Sequence, residues 1–269
     1  MKKNIFFKIR KIVYLSLFFF DKLFFRKKNG IIVFCYHSVS EDDWRYGVSP
    51  REFKAQIDYL IENYHPLSAE EFSYYLNFGK NLSSPSFLLT FDDGYKDIYQ
   101  TKDYLKGKGI KPLLFLLSNT ENADRGELKT RRLFLNLKEI KELILDGWTV
   151  GCHSATHKNF DNLSEEEAKK EILDAKKLLE EKLSLRITCF SYPKGVYREK
   201  ILDIVKRAKY EIAFSLESRF VDLRGDPYKI PRIAIDRTYD FLEFKAAFSP
   251  SVVKIRNLLS NTFLKNYLI

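Results

Sequence analysis

The chain has 269 residues, 45% of them hydrophobic, 15% aromatic and 30% charged, enough apolar material for one sizeable core, which excludes a disordered chain. Its net charge of +10 sits at the ends: residues 1–28 carry nine Lys or Arg against one Asp, residues 251–269 carry three and no acid, and the body between is net −1. Proteins that read nucleic acid carry the basic patch on the folded domain, so nucleic acid is excluded as a partner.

Residues 12–20 form an uninterrupted apolar run, too short for a bilayer span, which needs roughly 20 residues. No small-residue cleavage site follows it. With Lys and Arg on both sides, residues 1–29 read as an interfacial helix on an anionic membrane surface. An uncleaved, tilted anchor is the second reading and a core-packed first helix the third. The expectation is a protein peripheral to the bacterial inner membrane, with the side unassigned and with residues 1–29 separable from a catalytic domain over 30–250. Residues 251–269 form an amphipathic terminal helix, with Ile255, Leu259, Phe263 and Tyr267 on one face.

From Gly30 the pattern alternates strand and helix. Residues 31–36 are a continuous apolar strand ending at His37. Ser49 with Glu52 and Ser68 with Glu71 read as capping boxes opening two helices, with His65 in the turn between. Residues 87–97, FLLTFDDGYKD, deliver Asp92 and Asp93 to the C-terminal edge of a parallel sheet, and Gly94 turns the backbone into a helix over about 95–106. Two adjacent carboxylates repel, so the pair calls for a raised pKa or a cation. Residues 118–135 lack periodicity and suit a wall of a substrate groove. A further strand ends in His153, with His157 four residues on, a spacing that lets two imidazoles converge on one ion. Two His and one carboxylate leave positions open for water and substrate, as catalytic zinc sites do. Ser164 opens a long charged helix, residues 187–192 run as a strand into Pro193-Lys194-Gly195, and residues 228–236 form the last strand, carrying Arg232. Cys35, Cys152 and Cys189, an odd number without C-x-x-C spacing, read as small buried hydrophobes.

TFDDG, HSATH and FSYPKGV together resemble the polysaccharide deacetylases, the NodB-homology carbohydrate esterases, over roughly residues 31–236. The resemblance implies a distorted parallel (β/α) barrel and removal of N-acetyl groups from an amino sugar in a cell-envelope polysaccharide or lipid-linked glycan. It makes Asp92 the general base, Asp93, His153 and His157 the ligands of a divalent metal, zinc first, and the Lys194 backbone N–H an oxyanion donor. Tyr192, Pro193, Lys194, Gly195 and Arg232 fall on the substrate side. The chain departs from the family twice: Ser191 stands where many members have the Arg that steadies the base, and no late Leu-x-His supplies the general acid. With the other histidines assigned, His37 is the expected acid, and Arg232 the expected orienting partner of Asp92. The alternative is a non-catalytic carbohydrate-binding relic of the same fold.

Overall fold

The computed structural model describes residues 2–24, 30–79, 82 and 84–259. The long helix α1 (Lys2–Phe24) precedes β1 (Ile31–Tyr36), the short strands β2 (Ser38–Val39) and β3 (Gly47–Val48), α2 (Pro50–Asn63), β4 (His65–Leu67), α3 (Ala69–Phe78) and β5 (Ser86–Phe91). The chain continues through α4 (Lys102–Gly107), β6 (Leu113–Leu116), α5 (Arg125–Leu128), α6 (Leu137–Leu145), β7 (Thr149–Cys152), α7 (Glu165–Lys169) and α8 (Ala175–Leu183). It ends with β8 (Cys189–Ser191), α9 (Glu199–Arg207), β9 (Ile212–Phe214), β10 (Ile233–Ala234), α10 (Phe241–Ala247) and α11 (Pro250–Leu259).

β1 is apolar throughout and β5 apolar but for Ser86 and Thr90, because both faces are buried, as a parallel sheet between helices and an inner core requires. All pairings in the main sheet are parallel, in the order β10-β1-β5-β6-β7-β8-β9, with β4 added beside β5. The strands curl into a half-barrel. One extended segment bridges its two ends, pairing Ile230 with Phe214 of β9 and Ile233 with Phe34 of β1. The register of β1 on β5 places Tyr36 opposite Phe91, so the next residues, His37 and Asp92, leave the same edge side by side.

Ser68, Asn136 and Ser164 form complete capping boxes with Glu71, Glu139 and Glu167, and at Ser49 the Glu52 N–H donates to the hydroxyl at 3.2 Å. Several boundaries differ from the sequence reading. His65 lies in β4, where its N–H donates to the Pro85 carbonyl at 2.9 Å. The helix expected over 95–106 is a 3-10 segment, Lys96–Thr101, followed by α4. A π turn, Lys170–Asp174, interrupts the long charged helix, and the last strand shortens to β10.

The first helix is not a free tether. α1 buries Arg10, Tyr14, Phe18 and Asp21 and packs against α10 and α11. α11 buries Val252, Val253 and Arg256, with Ile255 and Leu259 half-buried beside them; Phe263 and Tyr267 lie outside the described residues. Among the described residues no helix is long and apolar enough to cross a membrane.

Candidate active site

The C-terminal edge of the half-barrel gathers the polar residues that the strands deliver. Asp92 follows β5 directly; its N–H donates to the Tyr36 carbonyl at 2.9 Å, which continues the β1–β5 ladder by one residue. Asp93 then turns out of the strand at φ 69° and Gly94 at φ 73°. A Cβ on Gly94 would meet a Leu116 methyl at 2.5 Å, so both the turn and the close approach require glycine. Four of the non-glycine residues with positive φ, Asp93, Ser154, His157 and Lys194, belong to this edge. Strained backbone concentrated in this way marks positions held for function.

Asp93, His153 and His157 each offer a ligand atom within 4.8 Å of the others, all three buried. His153 Nε2 and His157 Nε2 stand 3.4 Å and 3.5 Å from Asp93 Oδ1, an oxygen that has no hydrogen-bond partner among the described residues. His153 Nδ1 lies 2.8 Å from the Ser191 carbonyl, which can only accept, so Nδ1 carries the proton and Nε2 presents its lone pair to Asp93. A buried carboxylate oxygen without a donor, faced by an imidazole lone pair, is unfavourable unless a cation lies between them. Two imidazoles and one carboxylate match the donor preference of a catalytic zinc or similar divalent ion, so the set fits a metal.

Asp92 is held differently. Arg232, 0% exposed, grips it in a fork, with Nη1 donating to Oδ1 at 2.7 Å and Nη2 to Oδ2 at 2.8 Å. The same guanidinium donates to Ser191 Oγ at 2.7 Å, to Thr90 Oγ1 at 3.2 Å and to the Ser215 carbonyl at 3.1 Å. Burial alone would raise the Asp92 carboxyl, but Arg232 and His153 outweigh it and hold the group well below the usual carboxylate range. Cys35 Sγ donates to Asp92 Oδ2 at 3.4 Å, and burial pushes this thiol well up, so it remains a neutral donor. Cys35, His37 and Asp92 also converge within 4.8 Å, but both Asp92 oxygens are taken by Arg232, so this second group is no metal site. The convergence does place a His37 ring nitrogen beside the carboxylate.

The expected substrate-side residues divide. Lys194 is exposed, and its φ of 58° turns the peptide out of β8 toward the edge. Gly195 cannot be replaced, since a Cβ there would meet the Leu216 nitrogen at 2.4 Å. Tyr192 is 0% exposed and its hydroxyl donates to the Tyr228 carbonyl at 3.1 Å; Pro193 is also buried. These two support the turn from behind. Arg232 has every accessible direction filled, so its substrate-facing role is corrected to that of the clamp on Asp92.

Two residues to which the sequence reading gave no role complete the site. Ser191 accepts from Arg232 through its hydroxyl and from His153 through its carbonyl, joining the clamp to the metal residues. Glu171, 6% exposed, accepts from the N–H groups of Ala155 and Thr156 at 3.0 Å and 2.8 Å and from Thr156 Oγ1 at 2.6 Å, fixing the loop between the two histidines. The π turn aims Glu171 inward. Residues 118–135 are strapped to the same loop by Asn119 N–H on the Ala155 carbonyl and Asp124 N–H on the Thr156 carbonyl, and Glu127 pairs with Lys194.

Burial lowers His153 to about 4 despite the two carboxylates, so the fold keeps it neutral. Its folded-state pKa lies below its ordinary 6.5, so its contribution is complete above that value and is lost as the pH falls from 6.5 toward 4. For the chelated protein the expected loss across that window is about 3 kcal/mol. Unfolding midpoints against pH check this, and His153→Gln should flatten the step.

These features set a cluster that fits a metal beside a clamped carboxylate at the edge of a parallel half-barrel. A family model described as polysaccharide deacetylase matches residues 79–213. The Bacillus subtilis (strain 168) protein YxkH, named a polysaccharide deacetylase, is 28% identical over 205 residues, covering 76% of this chain and 70% of its own. The poly-beta-1,6-N-acetyl-D-glucosamine N-deacetylase of Staphylococcus aureus (strain NCTC 8325 / PS 47) is 30% identical over 223 residues, 78% of this chain and 75% of its own. IcaB from Ammonifex degensii superposes with a TM-score of 0.72 at 26% identity, covering 83% of this chain and 98% of that one. The chain belongs to the polysaccharide deacetylase family.

Proposed function

We propose that this protein is a metal-dependent hydrolase that removes N-acetyl groups from glucosamine units of a cell-envelope polysaccharide. The observation that carries the reading is the buried, partnerless Asp93 Oδ1 facing two histidines, next to a second carboxylate that Arg232 holds ionised. A polymer is favoured over a lipid-linked sugar because the Staphylococcus aureus relative is named for a polymer.

Asp93, His153 and His157 would hold the metal. A divalent ion there supplies Lewis acidity, lowering the pKa of a water and polarising the acetyl carbonyl. Asp92 is a weak base because Arg232 holds it down, and it takes a proton only from a water made acidic within the site. The Lys194 N–H donates to the carbonyl oxygen as that oxygen gains charge. The water oxygen bonds to the acetyl carbon, and His37 gives a proton to the sugar nitrogen as the C–N bond breaks, leaving acetate and a free amine. The relic reading drew on the missing Arg at position 191 and the missing late His; Arg232 beside Asp92 argues against the first ground, and the His37 variant below tests the second.

Acetate release from a soluble N-acetylglucosamine oligomer is the test. Release should be abolished by chelation and restored by added zinc, with one new amine per acetate. A protein that takes up zinc but releases no acetate is the binding relic. Within this scheme His37→Gln should lower kcat about 10²–10⁴-fold, with KM and metal content unchanged. An unaltered kcat across the pH profile would remove His37 from the acid role.

A further inference from the structure

α1 is built inside out. A surface helix ordinarily turns its apolar stripe to the core and its charges to water. Here the inward stripe, Arg10, Tyr14, Phe18 and Asp21, contains two charges. Both are fully engaged: Arg10 donates to Glu243 Oε1 at 3.2 Å, Thr238 Oγ1 at 3.0 Å and the Thr238 carbonyl at 2.6 Å, and its guanidinium stacks 4.4 Å over the Tyr239 ring. Asp21 accepts from Ser251 N–H at 2.8 Å and Ser251 Oγ at 2.6 Å, satisfying the first turn of α11. The two clasps hold α1 along the flank of the half-barrel, from the first turn of α10 to the start of α11.

The outward stripe is apolar. Ile12, Phe19, Phe20, Leu23 and Phe24 are 48–79% exposed, and Ile9 and Val13 extend them at helical spacing. Such a continuous row is an association surface rather than the scattered exposure of an ordinary exterior. Lys8 and Lys22 are exposed beside it, within a terminal segment of nine cationic residues and one acid. That charge selects the occupant: a second copy would bring +8 against +8, whereas an anionic lipid surface is complementary.

We propose that α1 lies in the interface of an anionic membrane as a fixed wall of the catalytic body, not as a tether. The apolar stripe enters the acyl boundary and the lysines meet headgroup phosphates. Lipid binding is measured apart from hydrolysis, so this inference and the deacetylase reading fail separately.

The experiment is co-sedimentation of the full chain with vesicles of phosphatidylcholine alone or mixed with phosphatidylglycerol, at low and high salt. Binding to the anionic vesicles about tenfold or more above the neutral ones, weakened by salt, is expected. The triple variant Phe20→Ser, Leu23→Ser, Phe24→Ser changes only exposed side chains. It should lower that binding about tenfold or more while Tm and acetate release from a soluble oligomer stay unchanged. No binding to either vesicle, or equal binding to both, overturns the proposal. So does a parent dimer in light scattering that the triple variant makes monomeric, which would assign the stripe to a second copy.

Discussion

Asp92→Asn is expected to retain bound metal and to lose turnover by about 10²–10⁴-fold, whereas Asp93→Ala, His153→Ala and His157→Ala lose the metal itself. The division follows from where each oxygen points. Asp93 Oδ1 faces imidazole nitrogens at 3.4 Å and 3.5 Å and has no hydrogen-bond partner among the described residues. Both oxygens of Asp92 are already occupied by Arg232, and removing its charge takes nothing from the Asp93 cluster. An Asn at 92 has nearly the same shape but cannot take up the water's proton. Metal content after desalting, read beside kcat for acetate release, checks the division. An Asp92→Asn enzyme with normal kcat would give the base role to another group; loss of its metal would make Asp92 a ligand.

The site was legible where strands announce their ends. Asp92, His153 and His37 each follow a buried, largely apolar run, with Asp93 next to Asp92, and strands buried on both faces leave the C-terminal edge as the place for polar side chains. Ser191 was read as a gap because the missing Arg was sought at the same position in the chain. The replacement, Arg232, already the expected orienting partner of Asp92, comes from the closing segment, and its guanidinium reaches Ser191 Oγ at 2.7 Å. Such a swap conserves a place in space, which no spacing rule records. Glu171 looked like one of many exposed charges on a helix, and only the π turn rotates it inward. In α1 the sequence does not mark which charges turn inward, and Arg10 and Asp21 are the groups that dock it.

Replacing Arg232 by Met should be the most destabilising single change at the site, costing about 3–5 kcal/mol at pH 7 because it leaves Asp92 buried as an uncompensated charge. The pH dependence should also reverse sign. With Arg232 present, Asp92 titrates well below its ordinary 3.8, so its contribution is complete above that value and is lost as the pH falls through the folded-state pKa. Without Arg232, burial, the largest influence on this carboxyl, raises it, so the variant gains stability as acid neutralises the group. The gap between the two proteins is therefore widest at neutral pH and narrows in acid. Arg232→Lys should fold better than Met but still lose turnover, since one ammonium cannot span both carboxylate oxygens as the fork does. The double variant Asp92→Asn, Arg232→Met removes the stranded charge, so it should regain most of the stability and none of the activity. Urea midpoints of the chelated proteins at several pH values, with acetate release measured on the metal-loaded ones, separate these effects. Strict additivity of the two single costs would show that the fork contributes no coupling.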